Sequence, residues 1–385
     1  MPTLIVIDGL EQSVAEPGWM PVLDRLAATG RSGRLQFGRD PWFELFGHAA
    51  PEWSGAEPDL PLGYAVALGL TDLAAAGWPD PALSWCCLGF THLYKKQDDL
   101  IFLSAERTGQ SRAVCWALVE ALLPDMEAAG WRLYPPSRQG PYGVPVFFHA
   151  PDPGNLLQAH TLPMEALEGK SFRKHAPTGP YARDLLSLLT VGQLILARHP
   201  INLERQRAGR VALNTPWIWG MGSGVACAPP VAPARRGCCW SSHPVWAGLA
   251  RGSGLTVEPL DEEADFTPLV AALHKAAGSG WAVLHLSQPA LLARHGLLAQ
   301  RQHCLQRIND QLLEPLSRQL ASTKETLMIT STFSLVPEDS SAFRSFPWVL
   351  ASGAALGRSR RFWQRGRLGV GPVLGPEQVW SLCEI

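Results

Sequence analysis

The apolar positions of the first residues are consecutive: Thr3-Leu4-Ile5-Val6-Ile7 runs into Asp8-Gly9. A short unbroken apolar run closed by a turn predicts a strand buried on both faces, as in a parallel sheet, with Asp8 at its carboxyl end. Helical spacing follows in Trp19, Leu23, Leu26 and Ala27 and stops at Gly30. Residues 31–62 mix Gly, Pro and Trp without a period and predict a long loop. The texture then changes. A helical period over 63–76 precedes strand-like runs at 83–88 and 100–103. A helix carrying Val114, Ala117, Leu118, Ala121 and Leu122 ends near Gly130, and strands are expected at 131–134 and 144–148. This alternation predicts a small α+β module. From Arg183 onward the helical period returns in Leu185, Leu188, Leu189, Leu194 and Leu196 and ends at His199-Pro200. Strands at 255–257, 281–286, 326–330 and 348–351, separated by helices at 266–277 and 300–320, predict a mostly parallel sheet covered on both faces.

Composition narrows the class. A chain of 385 residues with 46% hydrophobic and 17% charged residues can bury a large core, and its length favours two domains. A net charge of −1 exerts no overall pull on nucleic acid or anionic membrane. No apolar run is long enough to span a bilayer, and the first residues lack the basic region of a signal peptide, so a cytoplasmic protein is expected. The cysteines fall as adjacent pairs, Cys86-Cys87 and Cys238-Cys239, and as singles; this is not the spacing of a structural zinc site.

The densest polar and aromatic information lies between His199 and Gly222. His199-Pro200-Ile201-Asn202 is followed by Arg205, Gly209, Asn214, Trp217, Trp219, Gly220 and Gly222. Two tryptophans beside two amides, a guanidinium and a Gly-x-Gly turn read as a buried strand that delivers polar groups to a glycine-lined cleft. Arg205 and Asn214 have the chemistry to hold a small anion such as a phosphate or carboxylate. The structural alternative is that Asn202, Arg205 and Asn214 satisfy backbone groups, with His199 at a helix terminus.

This stretch resembles the archaeal-type, cofactor-independent phosphoglycerate mutases of the alkaline-phosphatase superfamily. In them, His-Pro-x-Asn-x-x-Arg at a helix end is followed by Gly and by Asn-x-x-Trp-x-Trp-Gly-x-Gly. It resembles still more a bacterial offshoot labelled regulatory protein of the "Rpf E type". The resemblance implies an alkaline-phosphatase-like α/β core from 1–62 and 186–385, with a cap domain inserted at 63–185. It also implies a site of two divalent metals and a serine nucleophile, which together activate and transfer phosphate.

Against that implied set the chain departs repeatedly. Asp8 matches the first metal-binding Asp. Counting back from Phe43-Glu44-Leu45-Phe46-Gly47 puts Gly38 at the nucleophile and Arg39 at its acidic neighbour. In His285-Leu286-Ser287-Gln288-Pro289-Ala290, His285 and Pro289 fit, while Ala290 and Arg294 stand where metal-binding Asp and His are expected. An expected Asp-His pair is Thr330-Ser331-Thr332, and a substrate-binding Arg is Trp85. These departures point to a non-catalytic protein with no metal and no cofactor. Its remnant cleft would comprise Asp8, His199, Asn202, Arg205, Asn214, Trp217, Trp219, Gly220, Gly222 and His285, and would bind an unidentified small anion or a protein partner. The alternative is an active mutase or phosphohydrolase whose site is rearranged around Asp8, His285, His295 and His303.

Three other features carry weaker signals. Arg358 to Arg367 interleaves five arginines with Phe362 and Trp363, a pattern for nucleic acid or for a solvated edge, and the near-neutral chain favours the edge. Gly220-Met221-Gly222-Ser223-Gly224 lacks the spacing and following helix of a dinucleotide turn. Glu262-Glu263 is expected in a solvated polar loop.

Overall fold

The computed structural model describes residues 2–10, 19–29, 31–36, 45–46, 84–104, 108, 112–128, 130–133, 146–149, 159–162, 167–223, 236–294, 296–323, 325–331, 345–352, 373–374 and 379. In chain order the strands are β1 (Pro2–Ile7), β2 (Arg31–Gln36), β3 (Ser84–Lys96), β4 (Asp99–Ser104), β5 (Arg132–Leu133), β6 (Val146–His149), β7 (Thr215–Ser223), β8 (Gly237–Ser241), β9 (Thr256–Pro259), β10 (Trp281–Leu286), β11 (Thr326–Thr330), β12 (Ser345–Ser352) and β13 (Val373–Leu374). The helices are α1 (Pro21–Thr29), α2 (Arg112–Ala128), α3 (Phe172–His175), α4 (Ala182–Arg198), α5 (Pro200–Arg207), α6 (Pro244–Gly252), α7 (Thr267–Ala277), α8 (Gln288–Arg294), α9 (Leu298–Arg307) and α10 (Glu314–Ser322). The chain divides into two compact units, Met1–Ala50 with Pro229–Ile385, and Pro51–Ala228.

The first unit is an eight-stranded sheet in the order β13-β2-β12-β11-β1-β10-β8-β9. β11, β1, β10, β8 and β9 are mutually parallel, and β12 runs antiparallel between β11 and β2. The apolar run of β1 is explained by this position: Leu4, Ile5, Val6 and Ile7 are wholly buried between two parallel neighbours. Alternate residues separate the two faces. Ile5, Ile7, Leu284, Leu286, Leu327 and Ile329 join one apolar cluster with Leu23 and Leu26 of α1, Leu273 of α7, and Leu305, Ile308, Leu312 and Leu313. Val6, His285, Ser241 and Thr330 form one lateral row, offset by one residue and therefore directed to the opposite face.

Among the elements that depart from the sequence expectation are β2, β8 and a π-helical turn. The loop expected over 31–62 contains β2, an antiparallel partner of β12; pairing, rather than an apolar pattern, makes it a strand. β8 was hidden in Gly237-Cys238-Cys239-Trp240-Ser241, where small thiols take the place of branched aliphatics in a parallel interior strand. The single helix expected over 300–320 is interrupted by a π-helical turn, Ile308–Leu313. That turn brings the Asn309 Oδ1 to the backbone N–H of Val22 at 2.9 Å, which satisfies a donor in the first turn of α1.

The second unit is an antiparallel sheet. β3 pairs with β4, β6 and β7, and β5 continues from β6. The stretch 182–223, whose first half continues a helical period, belongs to this unit because β7 pairs along β3 from Thr91 to Ser84. α4 packs on β7 closely enough that a Cβ on Gly192 would lie 2.4 Å from the Cγ of Pro216. The basic run 358–367, the helix expected over 63–76, Gly38, Arg39 and His295 lie outside the described residues.

Among the described residues of the first unit, the tightest glycine approach to backbone is at Gly237, where β8 begins against β10. Its φ is +146°, and a Cβ there would sit 2.1 Å from the carbonyl oxygen of Trp281. Gly237→Ala is expected to lower unfolding free energy by about 2–4 kcal/mol, measured by urea denaturation, through strain and a backbone clash. An unchanged midpoint would mean that β8 does not sit in this register.

Candidate functional site

Four parallel strands of the first unit end side by side, and their carboxyl ends carry the polar groups: Asp8 after β1, Ser241-Ser242 at β8, His285 to Ser287 at β10, and Thr330-Ser331 at β11. Ligands of open α/β sheets bind beyond this edge. The Asp8 backbone N–H donates to the Leu286 carbonyl at 2.9 Å, which extends the β1–β10 ladder by one step and holds the carboxylate in place.

The centre of the site is one buried chain of contacts. His285 Nε2 lies 2.8 Å from Asp8 Oδ2, and His285 Nδ1 lies 3.0 Å from Ser241 Oγ. Asp8, His285 and Ser241 are all buried, with His285 and Ser241 at 0% exposure. With Nε2–H donating to the carboxylate, Nδ1 is left to accept the serine hydroxyl, and Ser241 Oγ itself accepts from the His243 backbone N–H at 3.0 Å. The indole of Trp246, on α6, stacks on the imidazole at 4.3 Å with an 8° interplanar angle, and Phe46 meets that indole edge-on. The imidazole is therefore fixed on both edges and over one face.

The neighbouring residues close the surroundings of Asp8. Gly9 has φ +77°, and a Cβ on it would lie 3.1 Å from the Cα of Ala290, so the turn after β1 rests against the first turn of α8. The buried guanidinium of Arg301 donates to the Gly9 carbonyl at 3.0 Å and lies over the ring of Trp19.

A second buried carboxylate sits beside this row. Glu262 is 7% exposed, a correction to the expected solvated loop. Its oxygens accept from the Ser242 hydroxyl, from the Ser287 backbone N–H at 3.0 Å and hydroxyl at 2.9 Å, and from the Gln288 N–H at 2.9 Å. It thereby satisfies donors that open α8, where a negative charge is favoured. Arg307 holds the 262–264 backbone by donating to three successive carbonyls.

A two-metal site requires several anionic or imidazole ligands per ion, each at about 2.0–2.2 Å for nitrogen or oxygen. The described residues do not fit that requirement. Asp8 and His285 bond to each other, the position beside Gly9 is an alanine methyl, and the nearby charge of Arg301 is positive. Among the described residues no group of three or more His, Cys, Asp or Glu side chains could hold a metal ion. His303, a member of the alternative ligand set, is exposed on α9.

The other sequence-selected residues belong to the second unit, where they bond to backbone. Asn202 is buried; its Nδ2 donates to the Leu196 and Leu213 carbonyls and its Oδ1 accepts from the Leu213 N–H at 3.0 Å. Asn214 pairs with both backbone groups of Leu93, acting as an extra rung between β7 and β3. Arg205 donates to the Val211 and Thr108 carbonyls, and burial followed by the nearby Arg210 lowers its pKa from the ordinary value. His199 Nδ1 accepts from the Ile201 N–H and opens α5. The Trp217 indole donates to the Leu162 carbonyl at 2.8 Å and meets Phe102 edge-on; Trp219 is buried. Gly220 has φ +62° opposite the register shift between Trp85 and Cys87, so Gly220-x-Gly222 makes a β-bulge in a continuing strand. The sequence selected these residues by type and density, and the same types serve backbone satisfaction. Ser241, Trp246, Glu262 and Arg301 escaped that reading because nothing in their local spacing places them beside Asp8.

Replacing Asp8 tests the central bond. Asp8→Ala removes the acceptor of the buried His285 N–H and is expected to cost roughly 1–3 kcal/mol. Asp8→Asn keeps an acceptor oxygen and should cost about 1 kcal/mol. Urea denaturation of both variants checks the order; equal stability of Asp8→Ala and the parent would remove the bond from the fold's supports.

No protein-family model matches the chain. A Geobacter sulfurreducens protein named "Probable 2,3-bisphosphoglycerate-independent phosphoglycerate mutase" is 27% identical over 39% of this chain and 38% of its own length. The 2,3-bisphosphoglycerate-independent phosphoglycerate mutase of Methanosarcina mazei is 25% identical over 55% of this chain and 50% of its own. The matched segments thus span half or less of these two relatives. The Methanosarcina acetivorans mutase is 22% identical over 83% of this chain and 79% of its own. A solved protein structure from Pyrococcus horikoshii superposes with a TM-score of 0.54 and 17% identity, covering 99% of this chain and 96% of that one. The chain has the mostly parallel α/β core of the alkaline-phosphatase fold, and the curated relatives it is similar to are named 2,3-bisphosphoglycerate-independent phosphoglycerate mutases.

Proposed function

We propose that this chain is a non-catalytic counterpart of the phosphoglycerate mutases, akin to the bacterial "Rpf E type" regulatory proteins, and that it acts in the cytoplasm by binding a small anion or a protein partner. The observation that carries this reading is the bond between Asp8 and His285. The carboxylate at the place of the first metal-binding Asp is engaged by an imidazole that Ser241 and Trp246 hold in turn, and the Gly9 turn that follows it rests on Ala290. One carboxylate and one imidazole leave most of a divalent ion's coordination to water, and affinity falls accordingly. Glycine at position 38 offers no attacking oxygen. Residues 63–185 are the cap in this proposal and fall inside the larger compact unit Pro51–Ala228. No helix of the described residues is long and apolar enough to cross a membrane.

The competing reading is turnover of phosphoglycerate by a rearranged site, the activity that the names of the relatives carry. It requires a nucleophile and further ligands to join Asp8 and His285. Metal analysis of the purified protein, with assays on 2- and 3-phosphoglycerate in manganese, magnesium or zinc, separates the two. Substoichiometric metal and no turnover above the blank are expected. Bound metal near one or two ions per chain, with turnover that a chelator abolishes, would end the non-catalytic reading.

A further inference from the structure

One helix of the second unit carries an exposed face that its own fold does not explain. α4 buries Leu185, Leu189, Gly192 and Leu196. Its outer side presents Ser187, Thr190, Val191, Leu194 and Ala197 to solvent, with Val191 41% and Leu194 60% exposed. From Leu185 to Ala197 the helix contains no charged residue. A solvent-facing helix ordinarily places charges along that side. Beside the stripe, Leu188, Val191 and Ile195 line a mostly apolar groove whose far wall is Leu122, Asp125 and Met126 of α2.

The charges that bound the stripe indicate what covers it. Asp184 and Arg198 are exposed at its two ends, seven residues to either side of Val191. Seven residues turn an α-helix to within about 20° of the starting face, so Asp184, Val191 and Arg198 lie on one line, whereas Arg183 is turned about 80° aside. A second helix of identical sequence, laid antiparallel with its twofold axis at Val191, sets Asp184 opposite Arg198 at both ends. It also sets Leu188 opposite Leu194, so the exposed leucine of each copy meets the groove of the other. Parallel pairing instead opposes like charges. Each end charge also suits its own helix dipole, but that preference does not call for an uncharged exposed stripe between them.

We propose that this face of α4 is the contact between two copies of the chain, an isologous antiparallel helix pair centred on Val191. It is a surface independent of the Asp8–His285 site, and it holds whether or not the chain turns over phosphate.

Sedimentation velocity from low to high micromolar protein tests it. The parent is expected to pass from monomer to dimer across that range. Leu194→Glu, at a position already mostly in solvent, should keep its circular dichroism and weaken the dimer at least about tenfold. Asp184→Arg should weaken it as well, and Asp184→Arg combined with Arg198→Asp should restore association toward the parent value, a rescue that a purely intrahelical role would not produce. A monomer at every concentration overturns the proposal, as does a dimer that Leu194→Glu or Asp184→Arg leaves unchanged. A different protein that binds the stripe of a monomeric chain, and is lost with Leu194→Glu, overturns the second-copy assignment too.

Discussion

The bond between Asp8 and His285 constrains everything around it. A carboxylate that is 2% exposed at the end of the apolar run Leu4–Ile7 would be costly to bury alone. The imidazole supplies its partner, and that partner must then be oriented. Ser241 does so at the opposite ring nitrogen and Trp246 over the ring face. The turn after Asp8 needs a residue free to adopt positive φ and a small neighbour to rest on, which Gly9 and Ala290 provide. The same sheet edge that presents ligands in open α/β proteins here carries the buried Asp8–His285–Ser241 chain.

Glu262 extends that principle. Its carboxylate is buried because the backbone at the start of α8 and two serine hydroxyls surround it with donors. Together the two carboxylates anchor the ends of β1, β8 and β10 and the entry to α8. Polar burial of this kind specifies geometry more than it adds net stability, since each member depends on the presence of the others.

The second unit uses neutral amides for the same purpose. Asn202 and Asn214 replace missing backbone partners where α4, α5 and β7 meet β3, and Arg205 spans carbonyls of two separate segments. A run rich in Asn, Arg and Trp thus has two physical readings, ligand binding and backbone satisfaction. Only the identity of the atoms facing each side chain separates them, and here those atoms are carbonyls and N–H groups of the chain itself.

Local sequence determined the elements whose reason for existing is local. The unbroken apolar run of β1 and the six buried residues of β10 announce interior strands, and the period over 185–196 announces α4. The mostly parallel sheet follows from their alternation with helices, and the departures at Gly38, Ala290 and Arg294 were readable by position. Tertiary structure alone decided β2 and β8, because Arg31–Gln36 and Gly237–Ser241 become strands through pairing with neighbours distant in sequence. It alone decided that Glu262 is buried, that Trp246 stacks on His285, and that Asp8 meets His285 across 277 positions of chain. Periodicity reports the face a residue turns toward the core, whereas a polar network depends on which strand ends lie adjacent, and adjacency is a property of the folded sheet.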